Sequence, residues 1–125
     1  MRLMSNDIIL SLPLPWPPTI NTYWRNVNGR TLLSKKGREY KRTVWQAVAE
    51  GGGRLRLACP IAVEIVLHPP TKAKMDIDNR IKALLDAMQD ASVYVDDSQV
   101  EHLTVIRGDV IKGGVAAVAI KARAS

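Results

Sequence analysis

An α+β domain built on a small mixed sheet with two main helices is what the sequence predicts, and three observations point there. Short apolar runs bounded by turn residues recur along the chain, two longer stretches carry helical periodicity, and their order (β, β-hairpin, α, β, α, β, β) is neither alternating nor segregated. At 125 residues the chain suits one domain, 1–125, with a real core. A hydrophobic content of 46% with 24% charged residues is ordinary for a globular protein and excludes a disordered chain.

Residues 7–12 (DIILSL) read as a first strand. Pro13, Pro15, Pro17 and Pro18 then exclude helix and predict a stiff, extended segment through Trp24. Asn28-Gly29, between 23–27 and 30–33, predicts a tight hairpin, because such turns need positive φ. Ser34 is placed to cap a helix over 35–50 that Gly51-Gly52-Gly53 stops. Tyr40, Val44, Ala47 and Val48 share its inner face. An adjacent arc of Arg38, Lys41, Arg42 and Trp45 reads either as a surface for a nucleic-acid backbone or as a solvated face with Trp45 at the core's edge.

Residues 61–67 (IAVEIVL) form a further strand, followed by a His68-Pro69-Pro70 loop carrying Lys72 and Lys74. The spacing of Ile77, Ile81, Leu84, Leu85 and Met88 predicts a second helix over 77–90 with Asp76 at its N-cap. A short strand at 92–95 leads to Asp96-Asp97, and strands at 100–107 and 115–121 flank a Lys112-Gly113-Gly114 turn. Cys59 is single, so it forms no intrachain disulfide, and it reads as a small core residue in a reducing, cytoplasmic setting. Asp7 interrupts the N-terminal stretch before a signal peptide develops, and no run approaches the length of a membrane span.

Charge is distributed unevenly. Six of the twelve acidic residues lie at Asp76, Asp78, Asp86, Asp90, Asp96 and Asp97, offset there only by Arg80 and Lys82. With a net charge of +6, the remainder of the chain is strongly basic. The basic part attracts polyanions and the acidic island repels them, a conflict that a bound divalent cation resolves. This combination indicates a metal-dependent enzyme acting on nucleic acid. Taken alone, Asp76 as a cap, Asp78 against a helix dipole and Asp96-Asp97 as a polar turn need no catalysis. Taken together, with Lys82 one turn from Asp78, they suggest converging carboxylates, which repel one another unless a cation intervenes. Oxygen donors favour Mg²⁺. His68 and His102 are too few and too scattered for zinc, and Gly51–Gly53 lacks the Lys-Ser/Thr of a phosphate-binding loop.

The joint pattern of LPWPPTINTYWR (Leu14–Arg25), Gly29-Arg30-Thr31 with Ser34, DIDNRIKALLDA (Asp76–Ala87), YVDDSQV (Tyr94–Val100) and Lys112-Gly113-Gly114 resembles the RusA family of Holliday junction resolvases. The resemblance implies a bacterial or prophage-encoded homodimer with two symmetric sites acting on four-way junction DNA. It implies that Asp76, Asp78 and Asp97 hold Mg²⁺, with Lys82 as the catalytically important lysine and Asp96 less needed. Arg25, Arg30, Lys35, Lys36, Arg38, Lys41 and Arg42 become the expected phosphate contacts. The chain departs from the family where an arginine often precedes the first aspartate. Met75 stands there, leaving Lys72 and Lys74 to supply the charge. Glu101-His102 is a second departure. The rival readings are a nuclease for other branched or flapped DNA, a DNA-binding module without catalysis, and a Mg²⁺ phosphohydrolase for small molecules, the last disfavoured by the basic surroundings.

Overall fold

Strand β4 (Ile61–His68) organises the molecule, because its alternate residues Ile61, Val63, Ile65 and Leu67 are all buried. The computed structural model describes residues 8–123, so Asp7, expected in the first strand, lies outside the described residues. In chain order the other elements are β1 (Ile8–Pro15), α1 (Ile20–Tyr23), β2 (Trp24–Val27), β3 (Arg30–Leu33), α2 (Lys35–Glu50), α3 (Ile81–Asp90), a 3₁₀ turn (Asp97–Gln99), β5 (Val100–Arg107) and β6 (Val115–Ala122). The main sheet has the order β1-β6-β4-β5. Its β4–β5 pair is parallel, and β6 runs antiparallel to both β4 and β1. A parallel pair requires a crossover, which α3 supplies. The α+β class with a mixed sheet is therefore the observed one.

Helices α2 and α3 pack on one another and complete the core with Tyr40, Val44, Val48, Ile81, Leu84 and Met88. Helix α2 has the predicted bounds: Ser34 Oγ accepts from Gly37 N at 2.9 Å, and Gly52 takes positive φ just beyond the end. The hairpin turn also forms as expected, with φ of 51° at Asn28 and 75° at Gly29. Cys59 is free and packs half-buried against the core. No helix among the described residues is long and apolar enough to cross a membrane.

Four expectations are corrected. Strand β1 continues to Pro15, through prolines expected to leave the sheet. It is an edge strand paired only with β6, and prolines two residues apart place both ring nitrogens on the side away from the ladder. The segment that follows is not extended throughout. The turn of helix α1 forms after Pro18 and makes Tyr23 its buried last residue rather than the first of the hairpin strand. Helix α3 begins at Ile81, not at residue 77, because the Asn79 carbonyl accepts from Ile20 N at 2.7 Å instead of from the next helical turn. Asp76 is consequently not an N-cap; Arg80 holds that place and makes no side-chain capping bond. Finally, residues 92–95 form no strand, only an isolated bridge from Tyr94 to Leu57. Ser92 takes a φ of 69°, and the amides of Ser92 and Val93 satisfy the carbonyls of Gln89 and Met88, so this stretch caps α3.

Candidate active site

The start of α3 and the 3₁₀ turn meet through one charged pair. Lys82 is the second residue of α3, and its Nζ lies 3.0 Å from Asp97 Oδ2. The two neighbouring aspartates of the turn have different environments. Asp96 Oδ1 accepts from Ser98 N at 2.8 Å, while Gln99 Oε1 accepts from Asp96 N at 2.8 Å, a reciprocal capping box. The backbone bond from Ser98 holds the Asp96 carboxyl below the usual aspartate range. Asp97 is instead fixed through its backbone, with its N–H donating 2.8 Å to Gln89 Oε1, and its carboxylate faces Lys82. Gln99 Nε2 ties the turn down by donating to the carbonyls of Leu57 (2.7 Å) and Cys59 (2.9 Å). Beneath it, Tyr94 Oη donates 2.6 Å to the Leu85 carbonyl; burial first, then the charges of Asp97 and Asp86, push this phenol above its ordinary value.

Asp76 and Asp78 are exposed in the irregular segment ahead of α3. That segment is anchored from three sides: Arg107 Nη2 donates 2.6 Å to the Met75 carbonyl, Ile20 N binds the Asn79 carbonyl, and Arg80 Nη1 donates 2.6 Å to the Pro17 carbonyl. A cleft of about 410 Å³ opens here, lined by Thr19, Lys74, Met75, Asp76, Asn79 and Arg80.

Asp86 belongs elsewhere. It accepts from Tyr23 Oη at 2.5 Å and lies 3.5 Å from Lys41 Nζ, which also reaches Asp90 at 3.6 Å. Burial, followed by the hydrogen bond to Asp86, raises the Tyr23 phenol. Lys41 is thus engaged within the fold. Arg25, Arg30, Lys35, Lys36, Arg38, Arg42, Lys72 and Lys74 are all exposed. Lys35, Lys36 and Arg38 crowd the first turn of α2, which holds no acidic residue. Cations there oppose the helix dipole, although Arg38 Nη1 also donates 3.1 Å to the Leu33 carbonyl just ahead of the helix. Trp45 is 45% exposed, and the Arg54 guanidinium lies 5.0 Å from its ring centroid.

The donor chemistry of Asp76, Asp78 and Asp97 is all hard oxygen and fits a divalent cation, and the Lys82 ammonium at Asp97 marks a place where positive charge is accommodated. Among the described residues, no three His, Cys, Asp or Glu side chains stand gathered as a ready metal cage.

The sequence reading missed Arg80, Arg107, Gln89 and Gln99. The Asp96-x-x-Gln99 spacing of a capping box was a usable signal for Gln99. Nothing local marks Arg107, whose role depends on a contact 32 residues away.

The model of the family described as endodeoxyribonuclease RusA matches residues 15–122. The chain belongs to the RusA family. RusA relatives include the crossover junction endodeoxyribonucleases RusA of Shigella sonnei and of Escherichia coli strain K12, each 38% identical over 104 residues, spanning 83% of this chain and 87% of the relative. The RusA protein of enterobacteria phage 82 is 37% identical over 103 residues, covering 82% of this chain and 86% of its own. The RusA match contains Asp76, Asp78, Lys82 and Asp97 together with the residues that anchor them.

Proposed function

We propose that this RusA-family protein is an endodeoxyribonuclease that resolves four-way (Holliday) junction DNA, in recombination and repair, by paired symmetric nicks. In this reading Asp76, Asp78 and Asp97 hold Mg²⁺, and the protein works as a homodimer. The observation that carries the site assignment is the 3.0 Å contact between Lys82 and Asp97, which draws the second acidic motif to the start of the helix that follows the first. A hard divalent cation bound there supplies Lewis-acid polarisation of a phosphodiester and a water ionised near neutral pH.

The protein's own groups do the remaining work. Gln89 and the capping box of Asp96 hold the Asp97 backbone, so its carboxylate is presented without a search through conformations. Arg107 restrains the backbone just before Asp76. Lys82, 54% exposed at its side chain, is free to turn its ammonium from Asp97 towards a bound phosphate and to stabilise charge that develops as the bond breaks. The exposed cations of the hairpin and of α2 supply backbone contacts. A two-fold dimer presents two identical sites to a substrate with two-fold symmetry, the physical basis for paired nicks.

The deciding experiment compares cleavage of a fixed synthetic junction in Mg²⁺ and in EDTA, for wild type and for Asp76→Asn, Asp78→Asn and Asp97→Asn. Each variant is expected to bind the junction and not to cut it; undiminished cutting by all three would defeat the site assignment. Parallel reactions on a flap and on linear duplex separate junction resolution from a broader preference for branched DNA.

A further inference from the structure

Arg80 is fixed in place, half-buried and unpaired. Its Cζ lies 5.0 Å from the centroid of the Trp16 ring. Trp16 in turn backs on Gly114, where an added Cβ would stand 2.7 Å from the indole. Nη1 is committed to the Pro17 carbonyl, while Nε is fully buried with no hydrogen-bond partner. None of the ion pairs among the described residues involves Arg80 or Lys74, although Asp76 lines the same cleft. A guanidinium held rigid, partly stripped of water and without a counter-ion is costly unless a ligand brings the negative charge. The cleft walls define that ligand: an ammonium, a guanidinium and the hydroxyl-bearing Thr19 suit phosphate oxygens. Asn79 Oδ1, also buried and unpartnered, is an acceptor and cannot hold an anion directly.

We propose that this cleft is a backbone-phosphate subsite in which Arg80 and Lys74 grip the phosphodiester neighbouring the one positioned at Asp76. The inference rests on the nuclease reading and deepens it, because it finds the positive charge that Met75 lacks in Lys74 and Arg80, which line the same cleft. Arg80 thereby acts as a positioning residue for the strand to be cut.

Two measurements test it. The first is junction binding by fluorescence anisotropy in EDTA over a series of KCl concentrations. Arg80→Gln and Lys74→Gln are each expected to reduce the slope of log K against log salt by about 0.9, and the double variant by about twice that, while Arg80→Lys keeps most of the wild-type slope. The second follows the Arg80 Nε–H signal by NMR, assigned by its loss in Arg80→Lys, during titration with inorganic phosphate; a saturable shift is expected. A reduced slope without that shift sustains the subsite and restricts it to phosphate within nucleic acid. An unchanged slope in Arg80→Gln together with a still Nε–H signal overturns the proposal and leaves Arg80 as a strut for Trp16 and Pro17. Should Arg80→Gln not fold, Arg80→Lys and Lys74→Gln carry the comparison. A signal that moves with phosphate in a protein that binds no junction would remove the nuclease reading and keep the subsite.

Discussion

Lys82 illustrates how little stability a largely exposed ion pair contributes. Its side chain is 54% exposed and that of Asp97 24%, so the pair at 3.0 Å is worth at most about 1 kcal/mol. Lys82→Ala is therefore expected to leave the thermal midpoint within a few degrees of wild type. Under the proposed mechanism it slows junction cutting by about a hundredfold, with binding retained. Equal losses of binding and cutting would assign Lys82 to substrate capture instead. Tyr23 is the opposite case. It is fully buried, and its hydroxyl is bonded to Asp86 at 2.5 Å beneath Lys41. Tyr23→Phe leaves a partly buried carboxylate short of one donor and should cost about 1–3 kcal/mol in urea unfolding without altering cleavage at saturating DNA.

At the scale of elements, α2 shows how local signals and close packing combine. Gly37 sits in its first turn, where an added Cβ would lie 2.5 Å from the Tyr23 carbonyl and 2.8 Å from Leu33 Cδ1. The Tyr23 carbonyl also accepts from Ser34 N at 2.9 Å, so backbone rather than a flexible side chain would have to yield. Gly37→Ala, a helix-favouring change by propensity, is expected to destabilise by about 1–3 kcal/mol because overpacking exceeds the gain. A rise in the urea midpoint would show that the α1–α2 contact is looser than its geometry. The 3₁₀ turn has a pH signature. The Asp96 carboxyl is held low by the Ser98 amide, so its contribution is present above the unfolded aspartate value of about 4 and disappears as pH falls through the lower folded value. Asp96→Asn should flatten that acid limb and leave the neutral-pH fold intact.

Across the whole molecule, the separation of an acidic island from a basic remainder sets how binding responds to salt. If about six phosphates are neutralised, log K for junction binding should fall with a slope near −5 against log salt. A slope near zero would remove the basic surface from recognition. The proposed dimer is checked by sizing at micromolar concentration, where a monomer mass would contradict it. All three tyrosines have phenols raised by burial above their ordinary value. A raised folded pKa means their stabilising effect is complete below about pH 10 and is lost as pH rises beyond it. Tyrosinate absorbance should therefore appear in one cooperative step with alkaline unfolding; gradual titration in a folded protein would contradict their burial.

What the chain declared by itself was whatever depends on near neighbours. The Asn28-Gly29 turn needs only two residues with positive φ, and the bounds of α2 need only Ser34 and the glycines beyond residue 50. The acidic motifs were likewise visible as composition, and the family pattern as order and spacing. Tertiary structure decided the rest. Periodicity from Ile77 onward is compatible with a longer helix, and only the long-range bond from Ile20 N to the Asn79 carbonyl halts it at Ile81. The residues at 92–95 have strand-like composition, yet the amides of Ser92 and Val93 are used to close α3. Asp86 and Asp78 look equivalent along the chain, and a tyrosine 63 residues away separates their roles. Arg80 and Arg107 carry no local mark at all. A side chain's partner across the fold is set by packing among distant segments, which no window of sequence contains.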